Sequence, residues 1–155
     1  MIAIVDYKAG NLTSVRLAFD ALAIEAVPTA DPAVLARADR IVFPGVGAAA
    51  SAMANLRAAG LIDILRARIA AGIPFLGICL GTQILFDRSE EDGGVDALGI
   101  LPGTVRKFAP TDPACKIQHM GWNQVRAARA VQFALLRGGA VVVVAGLGDR
   151  VQQPA

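Results

Sequence analysis

Histidine occurs once in the 155 residues, at position 119, and cysteine twice, at 79 and 115. One imidazole and two distant thiols are too few for a zinc finger, a two-histidine zinc helix or a disulfide scaffold, so no metal centre is expected. Charged residues are scarce as well, 18% against 55% hydrophobic, the reverse of the composition that leaves a chain unfolded. The net charge of +2 is too small for the broad positive field that phosphate binding requires, which argues against a nucleic-acid partner. The opening Met1 to Asp6 lacks a basic leader and meets a carboxylate early, which predicts a cytoplasmic protein rather than a secreted one. The longest uncharged stretch, Ile69 to Phe86, has the length of a membrane span but contains Gly72, Pro74, Gly77, Gly81 and Gln83. Breakers this dense would leave backbone groups unpaired in lipid, so a buried strand, turn and helix are expected there and no membrane contact.

What is present is the alternation of short apolar runs with longer periodic segments, the pattern of strands and helices around a mainly parallel sheet in one α/β domain. Ile2 to Val5 predicts a first strand. Asn11 can cap a helix with apolar positions Leu12, Val15, Phe19 and Leu22, spaced three and four apart. Asp31-Pro32 places a capping carboxylate before proline at the first position of a short helix. Arg40 to Phe43 and Ile73 to Ile78 predict two more strands, separated by a helix over Leu61 to Ala71 with Gly72 as its cap. Shorter strands are expected over Val105 to Phe108 and Trp122 to Val125. Residues 1 to 105 carry 8 basic and 11 acidic groups and residues 106 to 155 carry 7 and 2, which either a solvated surface or a partner with an acidic face explains.

Three segments carry chemistry. In Gly77-Ile78-Cys79-Leu80-Gly81-Thr82-Gln83, glycines two before and two after Cys79 allow a sharp strand-to-helix turn that projects the thiol from the sheet. Free N–H groups of the following helix would then face a reactive sulfur; the alternative is a small buried hydrophobe. Cys115, in a polar loop, has no such context. Pro44-Gly45-Val46-Gly47-Ala48-Ala49-Ala50 matches a dinucleotide fingerprint only weakly, because the nearest downstream carboxylate, Asp63, falls inside a helix rather than at a strand end. It is better suited to present N–H groups toward the cysteine as half of an oxyanion hole, or to be simply a tight turn. Finally, Lys116 to Val125 gathers the only histidine and the only tryptophan, either as core aromatic or as interface anchor.

Together with Asp6-Tyr7, Gly10-Asn11-Leu12 and Leu98 to Val105, these segments resemble the class I glutamine amidotransferases. The resemblance runs over residues 1 to 125, and the His-Met-Gly-Trp-Asn run resembles the glutaminase subunits of imidazole glycerol phosphate synthases in particular. It implies a flavodoxin-like α/β fold, no cofactor, glutamine as substrate and a cyclase subunit as partner in a heterodimer. It further implies Cys79 as nucleophile, Gly47 and Leu80 as the oxyanion hole, and Gln83 and Glu91 as residues that hold glutamine. His119, Met120, Gly121, Trp122 and Asn123 would meet the cyclase, so His119 is not the matched base. The chain departs from the family at Lys8, where glycine is usual, and at Gln118, where proline is usual. Residues 126 to 155 are expected to be a divergent tail that leaves the domain C-terminally incomplete, as a truncated or frame-altered coding region would produce. Gln132-Phe133 is followed by Ala134-Leu135 instead of the family's His-Pro-Glu, and no histidine follows His119. Ala140 to Ala145 is either a substitute strand or an aggregation-prone run. A non-enzymatic subunit that only docks, or another cysteine enzyme on the same scaffold, are the competing functions.

Overall fold

The computed structural model describes residues 1–107 and 109 and the strands 141–144 and 149–152. The first half of the chain is regular βα alternation. Strand β1 (Ile2–Val5), helix α1 (Leu12–Ala21), strand β2 (Ala26–Thr29), helix α2 (Pro32–Arg37) and strand β3 (Arg40–Gly45) follow one another. Helices α3 (Ala49–Ala58) and α4 (Ile62–Ala70) precede strand β4 (Phe75–Cys79) and the single turn α5 (Leu80–Gln83). Next come β5 (Phe86–Ser89), a 3-10 turn over Glu91–Gly93, β6 (Val95–Asp96) and β7 (Leu101–Lys107). Strands β8 (Val141–Val144) and β9 (Asp149–Gln152) complete the described residues.

Among these, β2-β1-β3-β4-β8 form one sheet whose every described pairing is parallel. Parallel sheets need both faces covered, and β1 and β3 accordingly run as almost unbroken buried stretches. A second sheet, β6-β5-β7-β9, mixes a parallel β5–β7 pair with antiparallel neighbours. Its β5–β7 register shifts between Phe86 and Arg88, where the Asp87 carboxylate accepts a hydrogen bond from the Gly103 amide at 2.9 Å. Both the α/β class and the mainly parallel sheet are as expected. The valine run at 141–144 forms a strand, aligned parallel beside Phe75–Ile78. Ile69 to Phe86 resolves into the end of α4, β4, α5 and the start of β5, and among the described residues no helix is long and apolar enough to cross a membrane.

Helix ends follow local chemistry. The Asn11 side chain accepts from the Ser14 amide at 3.1 Å, and Asp31 accepts from Ala33 at 2.8 Å with Pro32 opening α2. At the end of α4, Gly72 takes φ +78 and its amide and that of Ile73 bond back to Ile69 and Arg68, closing the reverse turn that satisfies orphan carbonyls. Two expectations differ in detail. Helix α1 buries none of its residues, because it lies against the outer strand β2 and leaves Leu17 and Leu22 in solvent. Helix α5 is only one turn, since Ile84 and Leu85 are drawn into the core as the chain swings into β5. The strand expected over Trp122 to Val125 lies outside the described residues.

The core is built around stacked rings. Tyr7 lies 4.8 Å from Phe43 between ring centroids, and Phe43 lies 6.3 Å from Phe75, so loop and strands are joined by aromatic contact. Buried Leu35, Ile41, Met53, Leu56, Leu61 and Leu65 extend the same cluster into α2, α3 and α4.

The end of α1 carries a cost that can be removed. Ala23 occupies the position that Gly72 holds after α4, with φ +53 and the same backbone bonds, to Asp20 and, from Ile24, to Phe19. A left-handed alanine costs about 1–2 kcal/mol, of which glycine's greater unfolded-state freedom returns roughly half. Ala23→Gly is therefore expected to raise stability by about 0.5–1 kcal/mol, seen as a higher denaturant midpoint at unchanged slope. A lower midpoint would show that the left-handed geometry at residue 23 carries no cost.

Candidate active site

Parallel strands place their carboxyl ends on one edge of the sheet, and in this chain three loops meet there. They are residues 6–11 after β1, residues 46–48 after β3, and the turn from Cys79 into α5. The strand register sets Gly45 directly beside Cys79. Cys79 is half-buried with φ +54 and ψ −114, a backbone state that side chains rarely adopt. Such strain persists only where the surroundings over-determine it.

Those surroundings are three glycines. A Cβ on Gly81 would stand 2.0 Å from the Phe43 carbonyl oxygen, one on Gly77 would stand 2.6 Å from the Gly81 carbonyl oxygen, and one on Gly45 would stand 2.6 Å from the Gly81 amide nitrogen. No side chain fits between these backbones. The Thr82 hydroxyl donates to the Gly77 carbonyl at 2.9 Å, tying the two sides of the turn together. The expected elbow is thus present, with Gly45 as a third close contact that spacing around the cysteine did not reveal.

Tyr7, the chain's only tyrosine, lies under the site with its hydroxyl buried and, among the described residues, without a hydrogen-bond partner. Burial raises its pKa above the ordinary value, the nearby backbone amide of Val46 opposes the shift without closing a full hydrogen bond, and negative charge on Cys79 raises it further. Next to it Lys8 takes φ +63, its amide donating to the Asp6 carboxylate at 2.9 Å; a glycine there would adopt this state without strain.

The remaining candidates are distributed around this centre. Gly47 is exposed with φ +92, and Leu80 is buried as the first residue of α5. Gln83 is half-buried at the end of α5. Glu91, on the 3-10 turn, accepts a hydrogen bond from the Ala49 amide at 2.8 Å through its Oε2. Nothing in the local sequence pointed to that contact or to α3. Cys115 and His119, Met120, Gly121, Trp122 and Asn123 lie outside the described residues.

Two variants probe this arrangement. Gly81→Ala must push β3 and α5 apart and is expected to cost about 3 kcal/mol or more, the upper range for overpacking. Gly60→Ala, with nothing within 4 Å but φ +65, meets only the backbone penalty of about 1–2 kcal/mol. Urea denaturation ranks the pair; equal losses would refute the close-packing account. Tyr7 gives a pH signature. Because its folded pKa is raised, its contribution is fully present below about pH 10, the unfolded value, and is lost as pH rises through the folded one. Tyr7→Phe should fold at least as stably and resist alkali better, so its midpoint advantage should grow from about pH 8 to about pH 11. A constant difference across that range would remove the Tyr7 titration from the account.

The family model described as glutamine amidotransferase class-I matches residues 5–146. "Imidazole glycerol phosphate synthase subunit HisH" of Nitratidesulfovibrio vulgaris (strain DP4) is 50% identical over 143 residues, covering 89% of this chain and 66% of its own length. The protein of the same name from Moorella thermoacetica (strain ATCC 39073 / JCM 9320) is 49% identical over 138 residues, covering 88% of this chain and 63% of its own. This chain therefore spans just under two thirds of the length of these relatives. A solved structure described as "Crystal structure of glutamine amidotransferase" matches with a TM-score of 0.61 at 23% identity, over 73% of this chain and 60% of that one, which is a likeness of fold. The match of the family model from the end of β1 through β4 and the Cys79 turn to residue 146 shows that the chain belongs to the class-I glutamine amidotransferases.

Proposed function

We propose that this chain is the glutaminase subunit of an imidazole glycerol phosphate synthase, hydrolysing glutamine and passing ammonia to a cyclase subunit in a heterodimer. The observation that carries this is Cys79, held at φ +54 on the tight turn after β4 and in register with Gly45, in a chain about half identical to proteins named as that subunit. The Cys79 sulfur attacks the side-chain amide carbon of glutamine, and the amides of Gly47 and Leu80 receive the negative charge that develops on oxygen. The carbon–nitrogen bond breaks, ammonia leaves with a proton, and water then cleaves the thioester to glutamate and the free thiol. Gln83 and Glu91 hold the amino-acid end of the substrate. His119, Met120, Gly121, Trp122 and Asn123, which lie outside the described residues, meet the cyclase in this reading, with Trp122 as anchor.

The proton transfers need a base. Within these 155 residues no histidine follows His119, so the base and its carboxylate partner are not supplied by the family's His-Pro-Glu segment. Turnover by the 155-residue polypeptide should be slow, because losing the base of a nucleophile–base pair removes several orders of magnitude while about 10³ to 10⁴ over water survives from binding and the oxyanion hole.

Ammonia release from glutamine, measured with and without purified cyclase and paired with brief labelling by a chloroketone analogue of glutamine, tests this reading. Expected are slow release that the cyclase stimulates, and labelling confined to Cys79. Cyclase binding with no release and no labelling would identify a subunit that only docks. Equal labelling of Cys79 and Cys115, or an activity indifferent to Cys79→Ser, would overturn the proposal.

A further inference from the structure

Helix α3 begins without a cap of its own. Ala48 stands at the capping position with φ −91 and ψ 145 and offers no side-chain acceptor, although such a position normally carries serine, threonine, aspartate or asparagine. The acceptor comes instead from a residue 42 positions away, the Glu91 carboxylate, whose Oε2 takes the Ala49 amide at 2.8 Å. Glu91 is fixed in turn: its own amide donates to the Ser89 hydroxyl at 3.2 Å, and Asp92, Gly93 and Gly94 follow with φ of +51, +85 and +100, turning the chain sharply back into β6. Ala49 is fully buried, whereas Val46 and Gly47 just before it are exposed. The segment between β3 and α3 is therefore anchored at its far end by one carboxylate and at its near end by the Gly45–Gly81 contact.

We propose that Glu91 is a positioning residue for the oxyanion loop: by capping α3 through the Ala49 amide it holds the Gly47 peptide in place, in addition to meeting the substrate. This rests on the glutaminase reading above. A carboxylate has two oxygens, so Oε2 can stay on Ala49 while Oε1 accepts from the substrate's ammonium group. Substrate binding and loop position are then coupled through one side chain, because a ligand that draws on Glu91 also acts on the segment that must receive the developing negative charge.

Saturation kinetics of Cys79 alkylation by the chloroketone analogue separate the two roles. In this reaction the sulfur–carbon bond forms, chloride leaves and the thiol proton goes to buffer. Glu91→Gln keeps a carbonyl acceptor for Ala49 but loses the charge that attracts ammonium, so its half-saturating concentration should rise while its maximal rate stays within about threefold of the parent. Glu91→Ala loses both, and its maximal rate should fall roughly tenfold, the order of one lost helix cap. Hydrogen exchange at the Ala49 amide should quicken in Glu91→Ala and not in Glu91→Gln. Adding Ala48→Ser, which supplies a local cap, should restore the maximal rate of Glu91→Ala without restoring its half-saturating concentration. An unchanged maximal rate in Glu91→Ala, or no rescue by Ala48→Ser, overturns the positioning role and leaves the glutaminase reading intact. A parent chain that the analogue does not label overturns that reading, and this role with it.

Discussion

The approach of the Gly81 backbone to the Phe43 carbonyl oxygen is the contact on which the rest of the site depends. A single added carbon there would stand 2.0 Å from backbone that cannot swing aside, and similar limits hold at Gly77 and Gly45. These contacts lock the ends of β3 and β4 against the first turn of α5, which forces Cys79 into its left-handed backbone state. Interiors packed at crystal density transmit such constraints rather than absorb them. The strain at the cysteine is thus a product of the sheet's own register.

Beneath that lock the aromatic stack supplies rigidity. Tyr7, Phe43 and Phe75 belong to the loop after β1, to β3 and to β4, so one column of rings joins the segments whose ends form the site. The orphaned Tyr7 hydroxyl carries an energetic cost, since an unmade buried hydrogen bond costs about 1–3 kcal/mol. Its position beside Val46 and Cys79 places that cost at the carboxyl edge of the sheet, where the three loops meet.

Much of this was legible in the sequence because it is local. The first strand, the Asn11 and Asp31-Pro32 caps, the Gly72 helix end and the cysteine elbow each depend on residues within a few positions of one another. What escaped depends on distance or on weak patterning. Helix α3 is alanine-rich, lacks a capping residue and follows a glycine loop, so neither periodicity nor a start signal marked it. The Glu91 to Ala49 contact spans 42 residues and leaves no trace in spacing. The assignments of Gly47, Leu80, Gln83 and Glu91 came from family likeness, because a backbone donor or a surface glutamate has no sequence signature of its own.

The distribution of left-handed residues follows from the same constraints. Ala23 and Gly72 take positive φ to end helices, where the gain is the pairing of orphan carbonyls. Lys8, Gly10, Gly47 and Cys79 take it in the three loops at the carboxyl edge of the sheet, where no helix end requires it. Two of those four carry side chains and so hold real strain, and both are tied to fixed neighbours: Lys8 through the Asp6 carboxylate, Cys79 through the glycine packing around it. A sheet that could relax would release this strain first, and it is kept because β1 and β3 are buried along most of their length and paired in register with each other and, through β3, with β4. The stability of the core is therefore what maintains the unusual geometry at the thiol, and mutations deep in β3 or β4 act on the site as directly as mutations beside it.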